Sequence, residues 1–384
     1  MHECIFPIGP QHPALKEPIY LKLHVEGTTV KQAEFNLGYA HRGVERISEG
    51  KLLDPELHTV QRTCGICSHC HSLAFLRAVE PVAGLTIPMK VKLQRVMVAE
   101  LERIHSHLLW AGVMMHEMGL ETLFMYFWRE RENILDVFDE LTGGRVHHSI
   151  NLVGTMKRSF NKENLVFAQE KLNSIIDRVK EHREVLENHD VIVSRSKGIG
   201  KISKKMAVDL GLVGPVARAS GVDYDVRVNS PYEAYTEIKV KPVLRVETDA
   251  WARSLARADE ILESIKIIDK AIDMIDPNEE LPKKPSFFAK EGVGLGRVEA
   301  PRGENFHYVK IENNRISRIK LRTPTLANLC VYPKILEDVD ITDVPVIVAS
   351  LDPCISCMER VTVIKDGKKE IWTTHELSEA KKHD

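Results

Sequence analysis

Two cysteine pairs near opposite ends of the chain, Cys64 and Cys67 in QRTCGICSHCH and Cys354 and Cys357 in LDPCISCMER, constrain the fold more than any other feature. The first pair sits in a short glycine-bearing segment and the second follows a proline, so each can clamp one ion between two sulfurs. Four thiolates at one point make a soft, electron-rich pocket that can hold zinc as a structural site, iron with sulfide, or a redox-active nickel. A zinc ribbon closes a small loop between its pairs, whereas nearly the whole chain separates these two. A shared site therefore ties together the two ends of an entire domain.

Composition supports a large globular unit. Of 384 residues, 43% are hydrophobic and 28% charged, enough for a sizeable core. The formal net charge of −2 supplies no polybasic field, so no nucleic-acid partner is expected. The opening MHECIFPIGPQHP lacks the basic and apolar parts of a secretory signal, which makes a cytosolic setting the default expectation. The most lipid-like stretch, Leu108 to Trp128, is broken by His116, Glu117 and Glu121 and reads as two buried helices around a glycine turn, not a bilayer span. In a reducing compartment the seven cysteines favour a metal framework over disulfides; Cys4, Cys70 and Cys330 read as small buried hydrophobes.

The expected fold class is α+β, a mainly helical core with long buried helices plus antiparallel β hairpins near both termini. With no internal repeat or long linker, residues 1–384 read as a single domain: an N-terminal β hairpin over 18–38, a helical core over 42–275 and a C-terminal β and metal-binding part over 286–384. Alternation around a glycine turn predicts the hairpin at Ile19 to Leu37. Leu93, Val96, Met97, Leu101, Ile104 and Leu108 form the stripe of a long core helix, and helical patterning returns at Lys162 to Asn188 and Asp249 to Ile275. Hairpins are expected around Asn313–Asn314 and Asp366–Gly367, and VPVIVASLDPC reads as a buried strand entering the second cysteine pair.

These residues carry a family resemblance. Arg62, Cys64, Gly65, Cys67 and His71 as R-x-C-G-x-C-x3-H, with Asp352, Pro353, Cys354 and Cys357 as D-P-C-x-x-C, resemble the paired signature of the NiFe hydrogenase large subunit. HRGVE at His41 to Glu45 and EAPRG at Glu299 to Gly303 also match, so the likeness runs nearly end to end. The opening GPQHPALKEP, Arg360 in place of the usual His, and RTPTLANL at Arg322 to Leu329 are similar to the energy-converting, membrane-associated group. That group resembles respiratory complex I, whose quinone-facing subunit shares the GPQHP and HRG-x-E segments but lacks the metal cysteines.

The resemblance implies reversible heterolytic cleavage of H2. Cys64 and Cys354 become terminal nickel ligands, Cys67 and Cys357 bridge to an iron carrying carbon monoxide and cyanide, and Cys354 takes the proton. Arg302 is expected above the open metal position with Asp352 as its carboxylate partner. His71, Pro301, Thr323 and Pro324 are the expected cofactor-binding residues, with His71 offering a hydrogen bond to a cysteine sulfur or to the cyanide region. Glu45 resembles a magnesium ligand, but with Arg360 replacing the histidine of that site a buried Glu45–Arg salt bridge is an equal alternative. His69 is read as structural, and His105, His107 and His116 as satisfied helix histidines.

Two departures from the family pattern matter. Gln61 stands where many hydrogenases carry a proton-accepting Glu, and an amide cannot titrate near neutral pH, so either another carboxylate or a water chain carries the proton or activity is low. The tail after Arg360, which many relatives lose, has hairpin pattern and is expected to stay. The chain has no CxxCxxC run for a relay of its own, so the resemblance implies a small subunit with an iron–sulfur cluster, ferredoxin as electron partner, and membrane antiporter-like subunits at the cytoplasmic face of the cell membrane. Two other classes remain open: a complex I-like quinone-site subunit using His12, and a zinc-clamped scaffold.

Overall fold

The computed structural model describes residues 3–12 and 17–380. Its architecture is α+β. At the N-terminal end, strands Tyr20–Glu26 and Thr29–Asn36 form the expected hairpin around Gly27, whose φ of 63° suits a glycine. Glu3–Ile8 adds an antiparallel edge strand on one side and Val339–Asp340 a short one on the other.

The centre of the molecule is the helix Met89–Glu117, which turns at Gly119 into the antiparallel helix Glu121–Thr142. The two helices read from Leu108 to Trp128 are therefore present, but only the first is buried: Met125 and Tyr126 on the second are exposed. Lys162–Asn188, opened by an Asn161–Asn164 capping box, and Ala250–Met274, capped by Asp249, complete the helical layer. The central helix is buried on nearly every face; its Arg95, Glu100 and Arg103 are answered by ion pairs, while Lys90 donates to main-chain carbonyls and Glu102 accepts from main-chain amides. Among the described residues no helix is long and apolar enough to cross a membrane.

Toward the C-terminus, strands Glu291–Ala300, Gly303–Glu312 and Arg315–Arg322 form a meander. Asn313 and Asn314, both at positive φ, make its second turn, as the alternation predicted. The first strand lies directly on the helix Ser68–Val82, because Gly294 and Gly296 leave room for that helix's backbone. A Cβ at either glycine would stand 1.8 Å from a carbonyl oxygen, of Ala78 and Ala74 respectively. This contact sets the spacing between the segment after the first cysteine pair and the strand leading to Arg302.

Two further expectations are corrected. The run expected as a buried strand before the second pair is the helix Val344–Ser350. Pro345 at its first turn fits a helix start, where the missing N–H is harmless, and apolar periodicity alone cannot tell so short a buried run from a strand. Cys4 and Cys330 are exposed, the first on an edge strand and the second on a single 3-10 turn, whereas Cys70 is buried as expected. The tail forms the hairpin Arg360–Lys365 with Lys368–Thr373, turned at Asp366–Gly367, then the short helix Thr374–Ala380. It is stitched to the N-terminal sheet by reciprocal bonds between Leu37 and Thr362, N–H to Oγ1 at 2.8 Å and N–H to carbonyl at 3.0 Å.

Candidate metal centre

Cys64 is extended after the 3-10 turn Gln61–Thr63, and Cys67 occupies the N-cap of Ser68–Val82, so a change of backbone conformation folds the first pair into a clamp. The amides of Ile66 and Cys67 donate to Cys64 Sγ at 3.4 and 3.3 Å. The second pair follows Asp352, held at φ +56°, and spans the 3-10 turn Ile355–Cys357. The two ends meet: Cys64 Sγ lies 3.1 Å from Cys67 Sγ and 3.3 Å from Cys354 Sγ, and Cys357 also reaches Cys64. All four cysteines are buried.

A single side chain stitches the clamps together. Arg42 of HRGVE donates to the carbonyls of Arg62 at 2.8 Å and Thr63 at 2.5 Å in the first loop, and to that of Ser356 at 2.7 Å in the second.

The thiol electrostatics suit a metal. Hydrogen bonds from Cys354, Cys357 and Cys67 hold the Cys64 thiol well below its ordinary range, while donation to Cys64 and burial push Cys67 up. One thiolate is therefore favoured and further ones disfavoured, an imbalance that a cation at the centre relieves by taking several thiolates at once. The sulfurs are gathered but contracted: a tetrahedron with metal–sulfur bonds of about 2.3 Å has edges of roughly 3.8 Å. Accordingly, among the described residues no group of three or more His, Cys, Asp or Glu side chains stands ready-made in metal-holding geometry. The donor set fits a soft transition metal, and small outward shifts of the sulfurs are what loading requires.

Arg302 closes one side. Its Nη2 donates to Asp352 Oδ1 at 2.6 Å, Nε to the Asp352 carbonyl at 2.8 Å and Nη1 to Ser106 Oγ at 3.1 Å. Burial opposes its charge, but Asp352 and the cysteines Cys354, Cys67 and Cys64 outweigh burial and raise its pKa. Pro301 is buried beside it, and Gly303 and Gly214 let this turn pack backbone to backbone against the neighbouring loop. On the other side Thr325 Oγ1 accepts the Cys354 N–H at 3.0 Å, next to buried Pro324 and to Thr323, whose hydroxyl has no partner. His71 Nδ1 meets His307 Nε2 at 3.1 Å while His71 Nε2 is buried without a partner; burial lowers its pKa to about 4, so the ring is neutral. The unpartnered His71 Nε2, Thr323 Oγ1 and Asp352 Oδ2 are polar atoms that a ligated metal group beside the sulfurs could satisfy.

Glu45 fits a magnesium ion poorly. Its Oε1 accepts from the Leu321 N–H at 2.9 Å and from Arg360 Nη1 at 3.0 Å, so a guanidinium already neutralises the carboxylate. Gln61 turns its amide to Ser149 Oγ, 2.7 Å away. His69 bonds the Arg95 carbonyl and Asn151, His105 accepts from Arg131, and His107 and His116 pair with Glu260 and Glu121, which accounts for all four without a metal.

Sequence reasoning passed over Arg42, His307 and Glu17. The Glu17 carboxylate accepts the main-chain N–H groups of Ile355 and Ser356, and its charge is felt by Cys354. With Arg302, Asp352 and Pro353 it lines a mostly apolar cavity of about 510 Å³, walled by Trp110, Phe124 and Trp128. The signal for Glu17 was its place in GPQHPALKEP, a segment read for likeness and not for chemistry.

Comparisons with known proteins relate the chain to hydrogenase and respiratory-chain subunits. The family model described as the 49 Kd subunit of respiratory-chain NADH dehydrogenase matches residues 117–292 and 284–360, and the nickel-dependent hydrogenase model matches residues 42–113. The chain is 36% identical to the alpha subunit of the membrane-bound hydrogenase of Pyrococcus furiosus, over 97% of this chain and 91% of that one. It is 31% identical to a subunit of the NADH-quinone oxidoreductase of Rhizobium etli, over 93% of this chain and 96% of that one. A chain in the structure of the membrane-bound sulfane sulfur reductase, an archaeal respiratory membrane complex, superposes with a TM-score of 0.86 at 29% identity, covering 92% of this chain and 97% of that one.

Proposed function

The chain belongs to the family that unites membrane-bound hydrogenase large subunits with the 49 Kd subunit of respiratory-chain NADH dehydrogenase, and on that footing we propose that it is the catalytic subunit of an energy-converting NiFe hydrogenase. The observation that carries this reading is the meeting of four buried sulfurs from remote segments beneath the Arg302–Asp352 pair. Cys64, Cys67, Cys354 and Cys357 would hold a nickel–iron group with carbon monoxide and cyanide ligands. When bound, this group supplies the Lewis acid for heterolytic cleavage of H2.

The chain's own residues do the rest. Arg302, kept charged and fixed by Asp352 and Ser106, directs positive charge at the open side of the sulfur cluster. Cys354 Sγ receives the proton and Glu17 takes it onward, since Gln61 neither titrates nor turns toward the sulfurs. Trp110, Phe124 and Trp128 give the cavity beside Arg302 largely apolar walls. Electrons leave through a partner subunit carrying an iron–sulfur cluster, with ferredoxin as acceptor, and antiporter-like membrane subunits couple the reaction to ion movement at the cytoplasmic face of the membrane.

A second reading is favoured by the same cavity and by the quinone-oxidoreductase relatives: a quinone-site subunit in which the cysteines are remnants. Metal analysis with infrared spectroscopy of the purified complex separates them. Nickel and iron together with carbonyl and cyanide bands are expected. Nickel near zero with quinone-dependent activity would sink the hydrogenase in favour of the second reading. Zinc without iron would leave only a clamped scaffold, and polysulfide reduction without hydrogen uptake would move the chain toward the sulfur-reducing relative.

A further inference from the structure

We propose that Arg257 is a positioning residue that holds Asp352, and through it the Arg302 fork, in place; this rests on the hydrogenase reading above. The helix Val344–Ser350 ends with its last carbonyls all engaged by distant side chains. Tyr332 Oη donates to Val348 O at 3.3 Å, Trp110 Nε1 to Ala349 O at 2.7 Å, and Arg257 Nη1 to Ser350 O at 3.1 Å. Two residues later the chain enters Asp352 in the left-handed region, immediately before Pro353. A non-glycine residue there is strained, and the following proline further disfavours helical backbone.

The Asp352 carboxylate is also badly placed for an anion. It is buried, and it lies just past a helix C-terminus, where the negative end of the helix dipole repels negative charge. Arg302 answers part of this by covering Oδ1 and the main-chain carbonyl, but Oδ2 is buried without a hydrogen-bond partner.

Arg257 anchors the main chain where it enters this turn, through the Ser350 carbonyl. It is fully buried on the helix Ala250–Met274, stacked 4.3 Å above the Trp110 ring, and tied by Nη1 to the Arg253 carbonyl at 3.0 Å. Its Nε and Nη2 are buried and unpartnered, and its charge acts on Asp352. Nothing in the packing of an ordinary helix calls for such a cation. At the end of Val344–Ser350 it caps the helix through the Ser350 carbonyl, two residues before Asp352, fixing the turn from which Cys354 follows.

The test compares the intact complex with Arg257→Gln and Arg257→Lys variants. The glutamine variant is expected to keep its nickel and its melting temperature close to the parent's, lose hydrogen/deuterium exchange by about 10- to 100-fold, and shift its carbonyl and cyanide bands; lysine recovers most of the rate. Unchanged exchange and bands in the glutamine variant overturn the proposal. So does a loss that merely tracks nickel content or melting temperature and is the same in both variants, since that is a structural role only. If the parent complex holds no nickel, the hydrogenase reading falls on its own, and crystal structures still decide this one: loss of the 2.6 Å Arg302–Asp352 contact in Arg257→Gln is expected, and its retention overturns the inference.

Discussion

Arg42 brings two loops from opposite ends of the chain within the span of one guanidinium, because its five donors can reach three carbonyls at once. Its motif was legible in HRGVE, but its role was not: the acceptors are main-chain atoms, which leave no mark in a sequence. Glu17 was hidden for the same reason, since its partners are the amides of Ile355 and Ser356. The cysteines, Arg302 and Asp352 stood out because their chemistry resides in the side chains. Position then separates the two candidate proton carriers. Glu17→Gln is expected to lower hydrogen/deuterium exchange by about 100-fold or more at unchanged nickel content, while Gln61→Glu brings no gain, because that side chain faces Ser149. A faster Gln61→Glu enzyme beside an unimpaired Glu17→Gln enzyme would reverse the assignment.

Among the elements, the strand Glu291–Ala300 has the tightest tolerance. Its alternating glycines place the helix Ser68–Val82 against the sheet with no space for a methyl group, and the clash would be with backbone, which cannot swing aside. Gly296→Ala is therefore expected to destabilise the protein by about 1–3 kcal/mol or more and to reduce nickel retention, because the helix carries Cys67 at its N-cap. Denaturant unfolding of variant and parent checks this; equal midpoints would mean that the helix and strand part without cost. Glycines on one face of a strand do signal close approach of another backbone, so this contact was in principle readable. The long helices were legible because their apolar positions recur over many turns. Val344–Ser350 was not, since seven apolar-rich residues fit a strand or a helix equally well and only packing against the central helix decides.

For the molecule as a whole, the core is wetter in composition than its periodicity suggests. The central helix buries Glu100 and Arg103 in a network with Arg227, Asp225, Arg218, Glu260 and Glu299, and neutral histidines lie in the same interior. A sequence reading assigns such charges to a solvated face; here each is answered by a partner from another helix or strand, information that exists only after folding. The pH dependence of stability follows. Burial depresses His69 to about 3 and His71, His107 and His148 to about 4, against 6.5 for an exposed ring. The unfolded chain therefore binds more protons than the folded one below 6.5, and stability falls as pH drops from there toward 4. Burial alone would raise Glu100, but Arg227 and Arg103 bring it to about 2, so its contribution, complete above 4.5, is lost between 4.5 and 2. Glu102 acts in the opposite sense: burial lifts it to about 8, so between 8 and 4.5 the folded state holds the extra proton and gains from acidification. Above 6.5 Glu102 acts without the histidines but against Cys64, whose depressed thiol leaves the folded state with fewer protons than the unfolded one, and below 6.5 the histidines outnumber it. Urea midpoints of the metal-free chain are thus expected to change little from pH 8 to 6.5, where Glu102 and Cys64 oppose each other, to fall from 6.5 to 4, and to fall further below 4.5 as Glu100 protonates. A midpoint that holds constant or climbs from pH 6.5 to 4 would mean that the buried histidines are already charged in the folded protein.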